Sequence, residues 1–335
     1  FALTLGVVIK EIREPKELTT EIYTSLDLSF SVQDVQKILL GKDAQGAAVE
    51  LVKDNDVWKI PLLWNAKADQ AKVYDFLKKL RAMKGELRVS DPSLFMDFKI
   101  GDEEALKIRL VDFTGREVLN LLLGASVSAA AETFVRKVGS KDVYMADLNL
   151  WPLMGIYGDP GTETLSNNFW SDLRPITIDV GEIREIAIKR FEKGKEKITT
   201  GLVRGIDQKD ADKKMWRYSG KDLALKVDEN KVKDFLQTLS RWQAEEVLNP
   251  EAQDYGFKNP FLELRFVTES TREIVLTVAR ENEKSKVYFV RVSTEPVVYK
   301  TSEYYVQKLD TADSAFVLQE SGSQETKSEP SAKST

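Results

Sequence analysis

Histidine and cysteine are both absent from the 335-residue chain. Their absence excludes Ser-His-Asp and Cys-His nucleophilic sites, thiolate redox chemistry, and zinc sites built on imidazole or thiolate. It also excludes disulfides, so any extracytoplasmic location has to be met without covalent staples. The routes to catalysis that remain are carboxylate pairs, lysine, tyrosine, serine or threonine, and oxygen-ligated metals. No Walker sequence is present, and "GDPG" (Gly158–Gly161) reads as a turn rather than a phosphate cradle, so no P-loop nucleotide site is expected. The net charge is only −5, and no long basic patch carries interleaved aromatics, which argues against a nucleic-acid partner. No apolar run reaches the ~20 residues a membrane helix needs. The apolar "FALTLGVVI" (Phe1–Ile9) reads either as a buried first strand or as the outer end of a membrane anchor, with Lys10 and Arg13 at the interface.

What is present is a soluble composition, 42% hydrophobic and 31% charged, in a chain long enough for two cores. The organising signal is a repeated phrase. "KVYDFLKKL" starts at Lys72 and "KVKDFLQTL" at Lys231, with six of nine letters shared. Val73, Phe76, Leu77, Leu80 and Met83 fall at helical spacing, as do Val232, Phe235, Leu236, Leu239 and Trp242. Asp69 and Asp228 precede the two helices as N-caps, their carboxylates placed to accept from free N–H groups of the first turn. Upstream, "DVWKIPLL" (Trp58) matches "KMWRYSG" (Trp216), and "SVQDVQKILL" matches "DVGEIREIAI". Downstream, Leu106–Gly124 matches Leu262–Ala279, and Thr133–Asp147 matches Tyr288–Ser302, each pair reading as a β-hairpin. Each copy is therefore expected to run three strands, a helix, a short irregular segment and four strands.

These patterns predict an α+β fold of two tandem homologous domains, each a mainly antiparallel sheet packed on one principal helix. The expected divisions are 1–19 (anchor end or first strand), 20–150 (first repeat), 151–175 (linker), 176–310 (second repeat) and 319–335 (a polar tail, predicted disordered). The order of the tryptophan strand, "ADQAKVYDFLKKL" or "DENKVKDFLQTL", "DYGFKNPFLELRF", a hairpin and "YFVRV" resembles the family called domain of unknown function 4340 over about residues 20–310. Copy one departs from the family pattern, with "DFKIGD" where copy two has "YGFKNP". The resemblance implies an N-terminal membrane anchor and an extracytoplasmic bulk in the bacterial envelope. It further implies a non-enzymatic accessory role beside ABC-transporter membrane or auxiliary subunits of the gliding-motility type. It implies no catalytic residues and no cofactor.

Candidate sites divide into three groups. The linker aromatics Trp151, Tyr157, Phe169 and Trp170 could line an interdomain groove for a glycan or peptide, or glue the two domains together. Carboxylate runs at Gly101–Glu104, Asp207–Asp212 and Ala244–Asp254 keep a carboxylate-dependent, carbohydrate-active enzyme as the alternative. Asp207, Asp210 and Asp212 lack the central Gly and late Glu of a calcium loop and read as a solvated turn. Exposed strand edges are the third group: they could accept a strand from a partner, or be guarded against pairing by Lys107, Arg109, Glu263 and Arg265.

Overall fold

The structure, a computed structural model, describes residues 23–26, 28–42, 46–126, 133–158, 164–192, 194–206, 214–219, 225–282, 284–311 and 313–318. The expected anchor or strand at Phe1–Ile9, the acidic run Asp207–Asp212, most of "GDPG" and the tail from 319 lie outside them. The first unit runs β1 (Thr24–Ser25), β2 (Val35–Lys42), β3 (Gly46–Asp54), β4 (Val57–Ile60), β5 (Ala66–Lys67), α1 (Gln70–Ala82), β6 (Lys84–Val89), β7 (Leu106–Asp112), β8 (Glu117–Ser126), β9 (Thr133–Lys137) and β10 (Val143–Ala146). A short helix, α2 (Asn167–Trp170), leads to the second unit: β11 (Ile183–Glu192), β12 (Lys195–Ile206), β13 (Lys214–Tyr218), α3 (Glu229–Ser240), β14 (Glu246–Leu248), β15 (Leu262–Thr268), β16 (Glu273–Arg280), β17 (Val287–Val292), β18 (Val298–Ser302) and α4 (Glu303–Leu309).

Among the described residues the strands form two antiparallel sheets. The first has the order β1-β6-β10-β9-β8-β7-β2-β3-β4-β5, and the second β14-β18-β17-β16-β15-β11-β12-β13. Strip β1 and β5 from the first and the two orders are the same, strand for strand. Register agrees as well: Ile38 faces Leu110 as Ile186 faces Phe266, and Tyr144 faces Val135 as Tyr299 faces Val290. Even an irregularity recurs, since β2 slips between Val35 and Lys37 and β11 between Ile183 and Glu185. A one-residue slip would turn every inward side chain outward, so a shared register is a strong mark of a shared fold. The α+β class and the duplication expected from the sequence are both present.

The helices lie where the apolar spacing put them. Asp69 accepts from the Lys72 N–H, and Asp228 from those of Asn230 and Lys231. Val73, Phe76, Leu77 and Leu80 are buried on α1, and Val232, Phe235, Leu236 and Leu239 on α3. Met83 and Trp242 are buried too, but just beyond the last helical turn. Each stripe meets a sheet face of Ile38, Leu40, Leu51, Ile108 and Leu110, or Ile186, Ile188, Leu202, Leu264 and Phe266. Burial of such side chains contributes roughly 1.5–3 kcal/mol each, which holds helix to sheet.

Two expectations are corrected. The segment after each helix is not wholly irregular: it starts with a strand, β6 beside β10 and β1 in the first sheet or β14 at the edge of the second. Lys107 and Arg109 on β7 and Glu263 and Arg265 on β15 do not guard edges, because both strands lie inside their sheets. Arg265 instead reaches across strands to Glu273 (2.6 Å) and Glu185 (3.8 Å). The irregular stretches after β6 and β14 cover the sheet face away from the helix. There Phe98 packs edge-on to Phe134 (4.8 Å) and Tyr255 on Phe289 (4.8 Å), while Arg136 stacks over Phe95 and Arg291 over Phe257. "DFKIGD" and "YGFKNP" thus serve one purpose with different letters. Gly256 has φ +87°, and a Cβ there would stand 2.4 Å from the Arg280 carbonyl oxygen, so that turn requires glycine.

The turns of β7–β8 and β15–β16 use different chemistry for one shape. In the first, the buried Asp112 carboxylate accepts from the Thr114 hydroxyl (2.6 Å) and from the Thr114 and Arg116 N–H groups. In the second, the Thr268 hydroxyl accepts from the Arg272 N–H (3.1 Å). The bond from the Thr114 hydroxyl, with help from Arg116, holds the Asp112 carboxyl below the usual aspartate value despite its burial. A depressed carboxyl stabilises the fold above its unfolded pKa and loses that contribution as pH falls through the folded one. Asp112→Asn is therefore expected to lower Tm at neutral pH. The gap to the native chain should close on acidification below about pH 4. Thermal melts of both proteins across that range check it; a gap constant with pH would contradict the assignment.

Candidate functional site

The linker aromatics were the strongest functional candidates in the sequence, and their surroundings define what they do. Trp151 opens a 3-10 turn at Pro152–Met154 that stops at Gly155 in a left-handed conformation. A Cβ at Gly155 would stand 2.6 Å from the Phe169 ring, so the glycine lets this turn lie against α2. Trp170 ends α2 and is fully buried, edge-on to Phe76 (5.3 Å) and to Phe169 (5.3 Å). Phe169 is half-buried beneath the Lys72 ammonium, which donates to its carbonyl oxygen. Trp151 is 6% exposed, whereas Tyr157 is 75% exposed. The structure thus brings Trp151, Phe169 and Trp170 into the core of the first unit and leaves Tyr157 outside it. None of the four lines either of the clefts described below.

Trp170 belongs to the repeat itself. Its carbonyl accepts from the Asp69 N–H (2.7 Å), just as the Phe316 carbonyl accepts from the Asp228 N–H (2.8 Å). Phe316 then meets Phe235 edge-on (5.6 Å), as Trp170 meets Phe76. Ala68 bridges Ser171 as Val227 bridges Val317. Each unit is therefore closed by a returning aromatic that caps the start of its helix. Sequence reasoning missed Phe316 because "NNFW" and "DSAF" share only an aromatic near the end.

The same closing segment starts the second unit. Asp172 donates its N–H to Lys67 O (2.8 Å) on the first sheet. Asn168 Oδ1 accepts from the Val247 N–H (2.9 Å) and Leu173 O from the Ala244 N–H (2.7 Å) on the second. Residues 168–173 thus lie between the β5 edge of one sheet and the β14 edge of the other. Lys67 forms an ion pair with Glu295 across the junction, and the Arg174 guanidinium holds Asp172 with two bonds (2.9 and 2.8 Å). Tyr299 is buried in this seam; burial pushes its phenol pKa up, and the nearby Glu295 and Asp172 carboxylates add to the shift.

Among the described residues, two of the clefts lie elsewhere. One, about 560 Å³, lies in the second unit among Arg190, Lys197, Asn259, Phe261, Arg280 and Asn282. The other, about 280 Å³, lies in the first unit beside Leu26, Leu28, Val135, Tyr144, Ser140 and Asp142. The buried carboxylates Asp112 and Asp172 line neither; each is held by groups of its own turn. Among the described residues no group of three or more acidic side chains is placed to hold a metal ion, and no helix is long and apolar enough to cross a membrane.

Comparison with known families matches residues 58–260, and again residues 216–320, to Domain of unknown function (DUF4340). The chain belongs to this family. The two overlapping matches agree with the duplicated DUF4340 fold described above. No curated protein and no solved structure matches the chain.

Proposed function

We propose that this DUF4340 chain is a non-enzymatic scaffold: an extracytoplasmic, membrane-anchored accessory subunit of an ABC-transport system of the gliding-motility type. The observation that carries the scaffold part is the use of the linker. Its large aromatics close the core of the first unit, and its polar groups hydrogen-bond to both sheets. A chain organised this way presents faces and sheet edges, the surfaces protein partners recognise. Hydrolysis of ATP belongs to a different chain in this reading, and the present one braces or presents cargo outside the membrane. The test is affinity purification of the tagged full-length gene product from detergent-solubilised membranes. The expected result is recovery of the transporter's membrane-spanning and ATP-binding subunits in fixed proportion. Recovery of the chain alone from a soluble fraction would overturn it.

A second reading, a glycan- or peptide-binding module, is favoured by the 560 Å³ cleft, where Arg280 stacks on Phe261 (4.9 Å) beside the amides of Asn259 and Asn282. Planar cations, amides and rings are the groups that hold sugars and carboxylates.

A further inference from the structure

The junction inside the chain has a donor side and an acceptor side. The donor is the closing corner of the first unit: Ala66, Lys67 and Asp172. The acceptor is the β17–β18 turn of the second unit with its neighbours: Glu295, Tyr299 and the β14 edge. Because the two units share strand order and register, each side has a counterpart in the other unit. The matching turn bonds, Ser140 N–H to Lys137 O and Glu295 N–H to Val292 O, place Ser140 where Glu295 stands, and Tyr144 where Tyr299 stands. On the donor side, Leu318 N–H bonds Lys226 O as Asp172 N–H bonds Lys67 O. Leu225, Lys226 and Leu318 therefore correspond to Ala66, Lys67 and Asp172.

The β6 strand, which answers β14, is paired with β1, but the rest of both counterparts is uncovered among the described residues. Tyr299 is 1% exposed under the first unit, whereas Tyr144 is half-buried and lines the 280 Å³ cleft with Leu26, Leu28 and Val135. Ala66 is 1% exposed, whereas Leu225 and Leu318 are 47% and 43% exposed. Charge also matches: a lysine stands at the donor corner in both units, and Asp142 on the cleft rim supplies the acid that Glu295 supplies inside.

We propose that this surface is an interface between copies of the chain. The second unit of one copy seats its closing corner, Leu225, Lys226 and Leu318, in the cleft on the first unit of the next, with Lys226 facing Asp142. The contact repeats the internal junction head to tail. Donor and acceptor are different surfaces, so association does not stop at a dimer unless a ring closes. The inference is independent of any transporter role.

The lack of native cysteine makes a direct test simple. Copies carrying Ser140→Cys are mixed with copies carrying Lys226→Cys under mild oxidation. The expected result is a disulfide-linked pair in the mixture and in neither variant alone. In sedimentation equilibrium the native chain should associate with rising concentration. Asp142→Lys and Lys226→Asp should each weaken this roughly tenfold, and one chain carrying both should recover it. Three results would overturn the proposal. One is a monomer at every concentration whose Ser140→Cys thiol reacts freely, leaving the cleft open. Another is a monomer whose thiol is protected, placing another part of the same chain there. The third is Ser140→Cys linking to itself, which makes the contact face to face.

Discussion

Replacing Trp170 with alanine should lower the unfolding free energy by about 3–5 kcal/mol, the range for removing a large aromatic from a packed core. The ring is fully buried, edge-on to Phe76 and Phe169, and directly follows the segment that contacts Val247. Urea unfolding measures the loss as a drop in midpoint at unchanged slope. Tyr157→Ala is the control: an exposed ring away from the core should cost no more than about 0.5 kcal/mol. A ligand platform would behave differently, keeping stability and losing binding. A Trp170→Ala cost below about 1 kcal/mol would therefore contradict its role as the closing plug.

Lys67→Met should be the second large effect. Its ammonium faces Glu295, whose side chain is 7% exposed and lies near the carboxylate of Asp172 and the phenol of Tyr299. Removing the lysine leaves a carboxylate in a dry seam without its cation, and such losses reach ~3–5 kcal/mol when both groups are buried. Because Lys67 itself is 32% exposed, about 2 kcal/mol is the expected loss. Adding Glu295→Gln removes the stranded charge, so the double variant should be more stable than Lys67→Met alone. A double-mutant cycle in urea measures the coupling. Additive costs would mean that the pair does not join the units energetically.

The sequence carried the elements that depend on local spacing. The stripes of α1 and α3, the capping aspartates and the four downstream hairpin strands of each unit follow from periods of 3.6 and 2. The duplication was legible because the same periods recur with the same cap and the same strand tryptophan. Strand order was not, since nothing local says that β2 lies beside β7 rather than β4. The roles of Phe98 and Tyr255 were hidden for a related reason: equivalent contacts are made from backbones of different shape. The linker was only half legible. Trp151 and Trp170 sit among Gly, Pro, Asn and Ser, a composition of loops, yet burial is decided by which core the loop returns to. Periodicity holds no information about that return.

The centre of each sheet joins strands far apart in the chain: β2 beside β7, and β11 beside β15. Closing such pairs carries a loop entropy that must be met before any contact rewards it, which slows folding. The plug at Trp170 adds a second delay, because the first unit lacks its aromatic cap until the residues that open the second have been made. A chain emerging N-terminus first therefore completes the strands of its first sheet before the aromatic that closes it has been made. Truncations that stop just after β10 should be proteolysed rapidly, and those that extend past Asp172 should resist.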